Sequence, residues 1–110
     1  MANIFYRKLS ANVGTTATTV GSYTVGADTK SVVLGLTVAN RVGSTISADV
    51  YINNGANVYY LVKGAPISAG GALVPIGGDQ KLVLQAGDNV VVKSDSATSI
   101  DAIMSIMEIT

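Results

Sequence analysis

Residues 45–63 decide the fold, and they read TISADVYINNGANVYYLVK. Four apolar residues in the first half are spaced two apart: Ile46, Ala48, Val50 and Ile52. This period of two is typical of a strand with one buried face. Asn53-Asn54-Gly55 follows, and Asn-Gly readily adopts the positive φ angles that tight hairpins require. Residues 58–63 then predict the returning strand of an antiparallel hairpin.

The same signals continue outward from the hairpin towards both termini. Runs rich in Val, Ile and Thr alternate with Gly, Asn, Asp and Ser turns, which is the rhythm of a sandwich or barrel. The predicted strands are residues 4–10, 15–25, 30–40, 45–53, 58–63, 73–76, 81–85, 90–93 and 99–109. Gly35 interrupts the third strand and predicts a bulge or a close backbone contact. Eight to nine such strands predict an all-β, antiparallel β-sandwich of jelly-roll type, with an immunoglobulin-like sandwich as the alternative.

The 110 residues have the length of one domain. We divide them into residues 1–10, an N-terminal arm or edge strand, and residues 11–110, a single β-sandwich domain. The first eight residues, MANIFYRK, place their charges after a short apolar stretch. A secretory signal has the opposite order, so we expect a cytoplasmic product without a signal peptide. Apolar runs are also too short for a membrane span.

Charge is sparse and balanced in this sequence. The sequence has seven basic and seven acidic residues, and 13% of the chain is charged. A nucleic-acid-binding protein needs a basic excess, so we expect no nucleic-acid partner. Mean hydropathy is nevertheless positive at +0.44. Because solubility normally depends on surface charge, we expect part of the surface to be covered by a partner.

The sequence lacks the usual residues of catalysis. Cys and His are both absent, which excludes Ser-His and Cys-His nucleophiles. The candidate oxygen ligands for a metal are scattered through turns: Asp79, Asp88, Asp95 and Asp101. We interpret them as turn-forming side chains. The glycine pairs Gly70-Gly71 and Gly77-Gly78 lack the context of a phosphate loop. We therefore predict no enzyme activity, no metal and no cofactor.

Two apolar segments are the candidate interaction sites. In the last predicted strand both alternating rows are largely apolar, which indicates a central strand or a face that meets another subunit. The N-terminal arm places aromatics beside basic residues, as interface anchors often are. The predicted interface residues are Ile4, Phe5, Tyr6, Arg7, Ile103, Met104, Met107 and Ile109. Alternatively, the arm simply adds a strand to its own sheet.

Tyrosines cluster on the central hairpin. Tyr51 and Tyr59 are predicted exposed contacts, and of the adjacent pair Tyr59 and Tyr60 we expect one to pack and one to be exposed. With the Asn residues nearby they could form a sugar-binding groove: Asn53, Asn54 and Asn57. A carbohydrate-binding module is therefore an alternative function.

Several segments together resemble small β-sandwich virion proteins of tailed phages, especially those of marine and freshwater cyanobacterial viruses. The segments are YYLVKGAPI at 59–67, GGAL at 70–73, KLVLQAGD at 81–88, MEI at 107–109, SYTV at 22–25 and KSVVLGL at 30–36. The resemblance covers everything except the arm. Gly87 and Asp88 have a physical role in it, because Gly accepts a positive φ angle and Asp ties the turn.

The resemblance implies a structural, non-enzymatic role in the virion. The first expectation is a capsid decoration (cement) protein, a homotrimer that bridges copies of the major capsid protein. The alternative is a neck, tail or fibre-attachment component. A clamp that binds only the assembled shell stabilises it by mass action.

Overall fold

A computed structural model describes residues 3–77 and 80–110, and within these ranges all regular structure is β. Four residues lie outside these ranges: residues 1 and 2, which belong to the predicted arm, and Gly78 and Asp79. Gly78 belongs to a predicted glycine pair, and Asp79 is one of the candidate metal ligands. The nine strands are β1 (Asn3–Val13), β2 (Thr18–Thr24), β3 (Lys30–Asn40), β4 (Ile46–Asn53), β5 (Val58–Ile67), β6 (Ala72–Ile76), β7 (Leu82–Leu84), β8 (Asn89–Ser94) and β9 (Ile100–Ile109). The all-β prediction is confirmed.

The strands form two antiparallel sheets with jelly-roll topology. The first sheet has the order β1-β9-β3-β6, with β7 also paired to β3, and the second has the order β2-β8-β4-β5. The chain is folded in half at the β4–β5 hairpin, and strands pair outward from it in nested fashion: β3 with β6, β2 with β8, and β1 with β9. Rolling such a nested hairpin into two sheets gives a jelly roll rather than an immunoglobulin sandwich.

The core lies between the two sheets and is aliphatic. Its fully buried large side chains are Leu36, Ile46, Ile76, Leu84, Ile100, Met104, Ile106, Val20, Val33, Val38, Val50 and Val90. In β4 the inward row is the one predicted from the alternation, because Ile46, Ala48 and Val50 are all buried. Among the described residues, no side chain before Val13 is buried.

Gly35 marks a bulge, as predicted. The register of β3 with β9 shifts between Val33 and Gly35. The shift changes which residues face inward, since Val33 is buried before the bulge and Leu36 after it. A bulge adds one residue to a strand and reverses the alternation beyond it. A strict period of two would place Val32 on the same side as Leu36 and Val38, whereas the bulge puts it on the opposite side.

Both predicted turns adopt the expected local geometry. Gly55 has φ +91° in the hairpin loop, and the side chain of Asn53 accepts a hydrogen bond from its N–H (3.1 Å). Gly87 has φ +89°, and the Asp88 carboxylate accepts a hydrogen bond from the N–H of Gln85 (3.0 Å). Strand β5 runs on to Ile67, four residues beyond the predicted end, because the chain bulges at Gly64 and resumes pairing.

The free edges near β5 and β6 carry features that discourage further pairing. In β5, Gly64 has φ +65° and leaves the regular pairing, because its N–H is donated to the Asp49 carboxylate of the adjacent β4 (2.7 Å) rather than to a main-chain carbonyl. Pro66 in β5 and Pro75 in β6 have no N–H to offer. Bulges, prolines and lysines such as Lys63 protect edges against pairing with other chains. A partner would therefore have to use another part of the molecule.

Asn40 fastens two loops to the end of β3. It is buried, and its Nδ2 lies within hydrogen-bond distance of three carbonyl oxygens, those of Ser44 (2.8 Å), Ile67 (3.0 Å) and Ser68 (3.1 Å). Its Oδ1 accepts from the N–H of Val42 (2.9 Å). One buried amide thus contacts four backbone groups, with the two hydrogens of its NH2 shared among three carbonyls.

Replacing this amide should destabilise the fold. We expect Asn40→Ala to lower the free energy of unfolding by about 3 kcal/mol, because buried carbonyls lose their donors. Urea denaturation followed by circular dichroism measures the change. Asn57→Ala, in the exposed hairpin loop, is the control and should cost less than about 1 kcal/mol. Equal losses in the two variants would show that Asn40 has no special role.

Candidate interaction surface

The solvent side of the first sheet, called the outer face below, is defined by the alternation of β9. Ile100, Ala102, Met104 and Ile106 are buried between the sheets. Ile103, Ser105, Met107 and Ile109, which alternate with them, therefore point to the opposite side. Residues paired directly with these in neighbouring strands share the outer face.

An apolar row crosses the outer face through four strands. Phe5 of β1 is opposite Met107 of β9, Met107 is opposite Val32 of β3, and Val32 is opposite Val83 of β7. The two ends of the row are the most open, with Phe5 69% and Val83 58% exposed. The row therefore presents continuous hydrocarbon to solvent.

A second, shorter apolar pair lies along the same strands. Leu9 of β1 is opposite Ile103 of β9, and these side chains are 50% and 49% exposed. Between the pair and the row lies Arg7, opposite Ser105. Arg7 is exposed, and none of the described residues forms an ion pair with it. The outer face thus carries exposed apolar side chains around one central cation, Arg7.

The patch is small compared with a whole interface. Four residues along β1 and three strand spacings across the sheet correspond to a grid of about 13 Å by 14 Å. The grid also contains the polar Arg7–Ser105 pair between its apolar rows. A stable interface buries about 800 Å² per partner, so the patch would form the centre of a larger contact.

The predicted interface residues fall into three groups. Five of them lie on the outer face: Phe5, Arg7, Ile103, Met107 and Ile109. Ile4 and Tyr6 are exposed but point to the other side of β1, opposite Glu108 and Ile106. Met104 was assigned wrongly, because its side chain is 0% exposed and packs in the core. Its alternation with Ile103 places it inside.

Three exposed apolar residues of this sheet escaped the sequence analysis: Leu9, Val74 and Val83. Leu9 is four residues after Phe5 in the same strand and so points to the same side, and this alternation was sufficient to predict its exposure. Val83 lies between two leucines, and only its pairing with Val32 shows which way it points. Val74 lies at the irregular β3–β6 pairing, where alternation gives no guide.

The underside of β1 is held by a polar cluster. Lys8 places its Nζ 5.0 Å from the ring centre of Tyr6 and 4.9 Å from that of Tyr23. The hydroxyl of Tyr23 donates a hydrogen bond to the Glu108 carboxylate (2.6 Å). Burial, and then this hydrogen bond, raises the pKa of Tyr23 to about 12. The cluster links β1, β2 and β9.

The raised pKa of Tyr23 predicts a loss of stability at high pH. Because the folded value of about 12 exceeds the unfolded value of 10.0, the folded protein retains this proton longer. The contribution is complete below pH 10 and falls as the pH rises towards 12. We expect Tyr23→Phe to flatten this part of the stability curve, measured by urea denaturation at several pH values. An unchanged slope would contradict the assignment.

The hairpin tyrosines differ in their contacts, as expected for one packed and one exposed residue. Tyr59 and Tyr60 are both about half exposed, and Tyr60 is the one that packs across the strands. Tyr60 packs against the half-buried Tyr51 with ring centres 5.2 Å apart and an angle of 56°. Lys63 places its Nζ 4.9 Å from the Tyr60 ring centre. The Tyr51 and Tyr60 rings are tilted against each other, and Lys63 lies over Tyr60, so this pair does not form a flat stacking platform for a sugar.

Of the acidic residues interpreted as turn-forming, Asp88 bonds within its own turn, whereas Asp95 and Asp101 contact distant backbone and Asp101 lies within β9. Asp95 accepts from the N–H of Ser47 (3.0 Å), and Asp101 accepts from the N–H of Asn12 (3.1 Å) and lies 3.7 Å from Nε of Arg41. Within residues 3–77 and 80–110, no group of three or more potential ligands could hold a metal ion. Over the same ranges, no apolar helix of membrane-spanning length is present.

Comparison with known proteins gives likeness of fold only. No protein-family model and no curated protein matches the sequence. The structure is similar to a solved protein of Bacillus endospore appendages, which are disulfide-linked pili, with a TM-score of 0.56 and 10% identity over 98% of this chain and 88% of that one. At this identity, the likeness shows a similar fold and nothing further.

Two viral structures are more distant. A pentameric capsid protein from metagenomic phage sequences has a TM-score of 0.39 and 19% identity, over 96% of this chain and 59% of that one. A protein of infectious bursal disease virus, Gt strain, has a TM-score of 0.47 and 10% identity, over 98% of this chain and 30% of that one. Because both TM-scores are below 0.5, these two structures carry no argument, and the comparisons show only a fold similar to that of the appendage protein.

Proposed function

We propose that the chain is a non-enzymatic structural subunit of a phage virion, and that it decorates the capsid as a cement protein. The observation that carries the proposal is the apolar row of the outer face, from Phe5 to Val83. Hydrocarbon arranged across four strands stabilises a permanent contact once it is removed from water. The resemblance of the sequence to virion proteins is the reason for proposing a phage particle as the binding partner.

Arg7 is expected to set the charge that the contact prefers in its partner. It lies between the apolar row and the Leu9–Ile103 pair, so docking would remove it from water. A buried charge needs an opposite charge, and we therefore expect the capsid partner to place a carboxylate against it. Arg7→Glu would reverse this preference and reduce binding more strongly than Arg7→Gln.

Cementing depends on many weak contacts acting together. The apolar patch is smaller than a standard interface, so one copy would bind modestly. A trimer that engages neighbouring capsid subunits multiplies the affinity through effective concentration. This arrangement fits capsid decoration better than a single copy at a neck or tail, which remains the alternative site.

The test is binding to assembled particles. Labelled full-length chain would be mixed with purified tailed-phage capsids that lack it, and co-sedimentation and the capsid melting temperature would be measured. We expect saturable binding over the whole head and a higher melting temperature. Binding confined to the neck or tail favours the alternative. A monomer that binds neither site contradicts the proposal.

A further inference from the structure

We infer that β1 is an exchangeable strand, which a second copy of this chain supplies to β9 when the subunits assemble. The inference rests on the self-association in the proposed function and adds the way in which copies are joined. It begins with burial: of the eleven residues Asn3–Val13, only Val13 is buried. Residues 3–12 therefore contribute no buried side chain to the core, and they form an edge strand of the first sheet.

The bonds that hold β1 do not depend on the chain that provides it. From Asn3 to Ser10, the strand is in unbroken antiparallel register with β9. Main-chain pairing, the Lys8 contacts with Tyr23 and the hydrogen bond from Gly21 N–H to Ser10 Oγ (2.8 Å) can all be made identically by another copy. Exchange of an identical element costs little, because no contact is lost.

A strained hinge lies where an exchanged strand would separate. The register breaks between Ser10 and Val13, and Asn12 within the break has φ +58°. Residues other than Gly are disfavoured at positive φ, although Asn tolerates it better than most. Short hinges under strain favour domain swapping, because opening releases the strain. Val13 beyond the hinge remains anchored in the core.

Exchange would also make the docking surface composite. Phe5 and Leu9 are on the exchanged segment, whereas Ile103 and Met107 belong to β9 of the receiving copy. Each apolar outer face would then contain side chains from two subunits. Exchange is therefore compatible with capsid binding, since a joined copy presents the same row as the single chain.

The chain is free of cysteine, which allows a direct test. Two single variants, Arg7→Cys and Ser105→Cys, replace exposed residues that face each other in β1 and β9. They would be produced together, one with a mass tag, assembled and treated with a short bis-thiol crosslinker. We expect a covalent dimer of one tagged and one untagged chain on a denaturing gel.

Two controls make the result decisive. Ser47→Cys with Pro66→Cys, facing residues of the β4–β5 hairpin, should not link different chains. A single chain that carries both Arg7→Cys and Ser105→Cys should form intermolecular links in the assembled state. If it links only within itself while the unsubstituted chain forms an oligomer by native light scattering and binds capsids, exchange is overturned and the proposed function stands. If it forms no link at all, the β1–β9 pairing is contradicted.

The hinge provides an independent readout. Asn12→Gly removes the steric penalty at positive φ, so we expect the crosslinked fraction to fall several-fold. Ser22→Gly, at φ +53° in β2 and outside the hinge, is the matched control and should leave the fraction unchanged. Equal fractions in the two variants would show that hinge strain does not drive the exchange.

Discussion

Placing aspartate at both Phe5 and Ile103 is expected to weaken capsid binding by at least about 100-fold while leaving the monomer folded. Both side chains are exposed on the outer face, so the sandwich core does not change. In a complex, however, each carboxylate would lie in an apolar contact without a partner. Co-sedimentation with capsids measures the loss, and circular dichroism confirms the fold.

The matched control uses the opposite sheet. Tyr59 has similar exposure, at 54%, and lies in the edge strand of the second sheet. Tyr59→Asp introduces the same charge on a comparable surface, and we expect near-normal binding. If this variant loses binding and the double variant does not, the interaction surface is on the hairpin rather than on the outer face.

Truncating Met104 to alanine is expected to lower the free energy of unfolding by about 3 kcal/mol, whereas Met107→Ala should cost less than about 1 kcal/mol. The two residues are in the same strand but on opposite sides of it. Met104 is fully buried, so its removal leaves a cavity, whereas Met107 is on the outer face. Urea denaturation separates the two effects.

Binding should show the reverse order. Met107→Ala removes hydrocarbon from the centre of the apolar row and should weaken capsid binding, while folded Met104→Ala should bind normally. A Met104→Ala protein that is fully stable but defective in binding would restore the original interpretation of Met104 as an interface residue.

Local rules predicted the hairpin and the turns because those features depend on residues close together in the chain. The alternation around Val50 and the Asn-Gly step decide the β4–β5 geometry by themselves, and Gly35 signalled its own bulge. The jelly roll was also anticipated, although its strand order depends on contacts between distant segments such as Phe5 and Met107.

The interaction surface was only half predictable for the same reason. In β9 both alternating rows are apolar, so the sequence indicates two apolar sides without showing which one packs against the second sheet. The choice is made by the second sheet, which packs over Met104 and leaves Ile103 in solvent. Val83 joined the surface only through its pairing with Val32, which the pattern of a three-residue strand does not reveal.

The nested pairing of the sandwich has a consequence for how the chain is made. During translation β1 leaves the ribosome first, and β9, with which it pairs, leaves last, so β1 remains unpaired throughout synthesis. Where several ribosomes translate one message, emerging chains are crowded together, and a neighbour's finished C-terminal strand is close by. The order of synthesis thus gives each new subunit the opportunity to be tied to an older one before it is released.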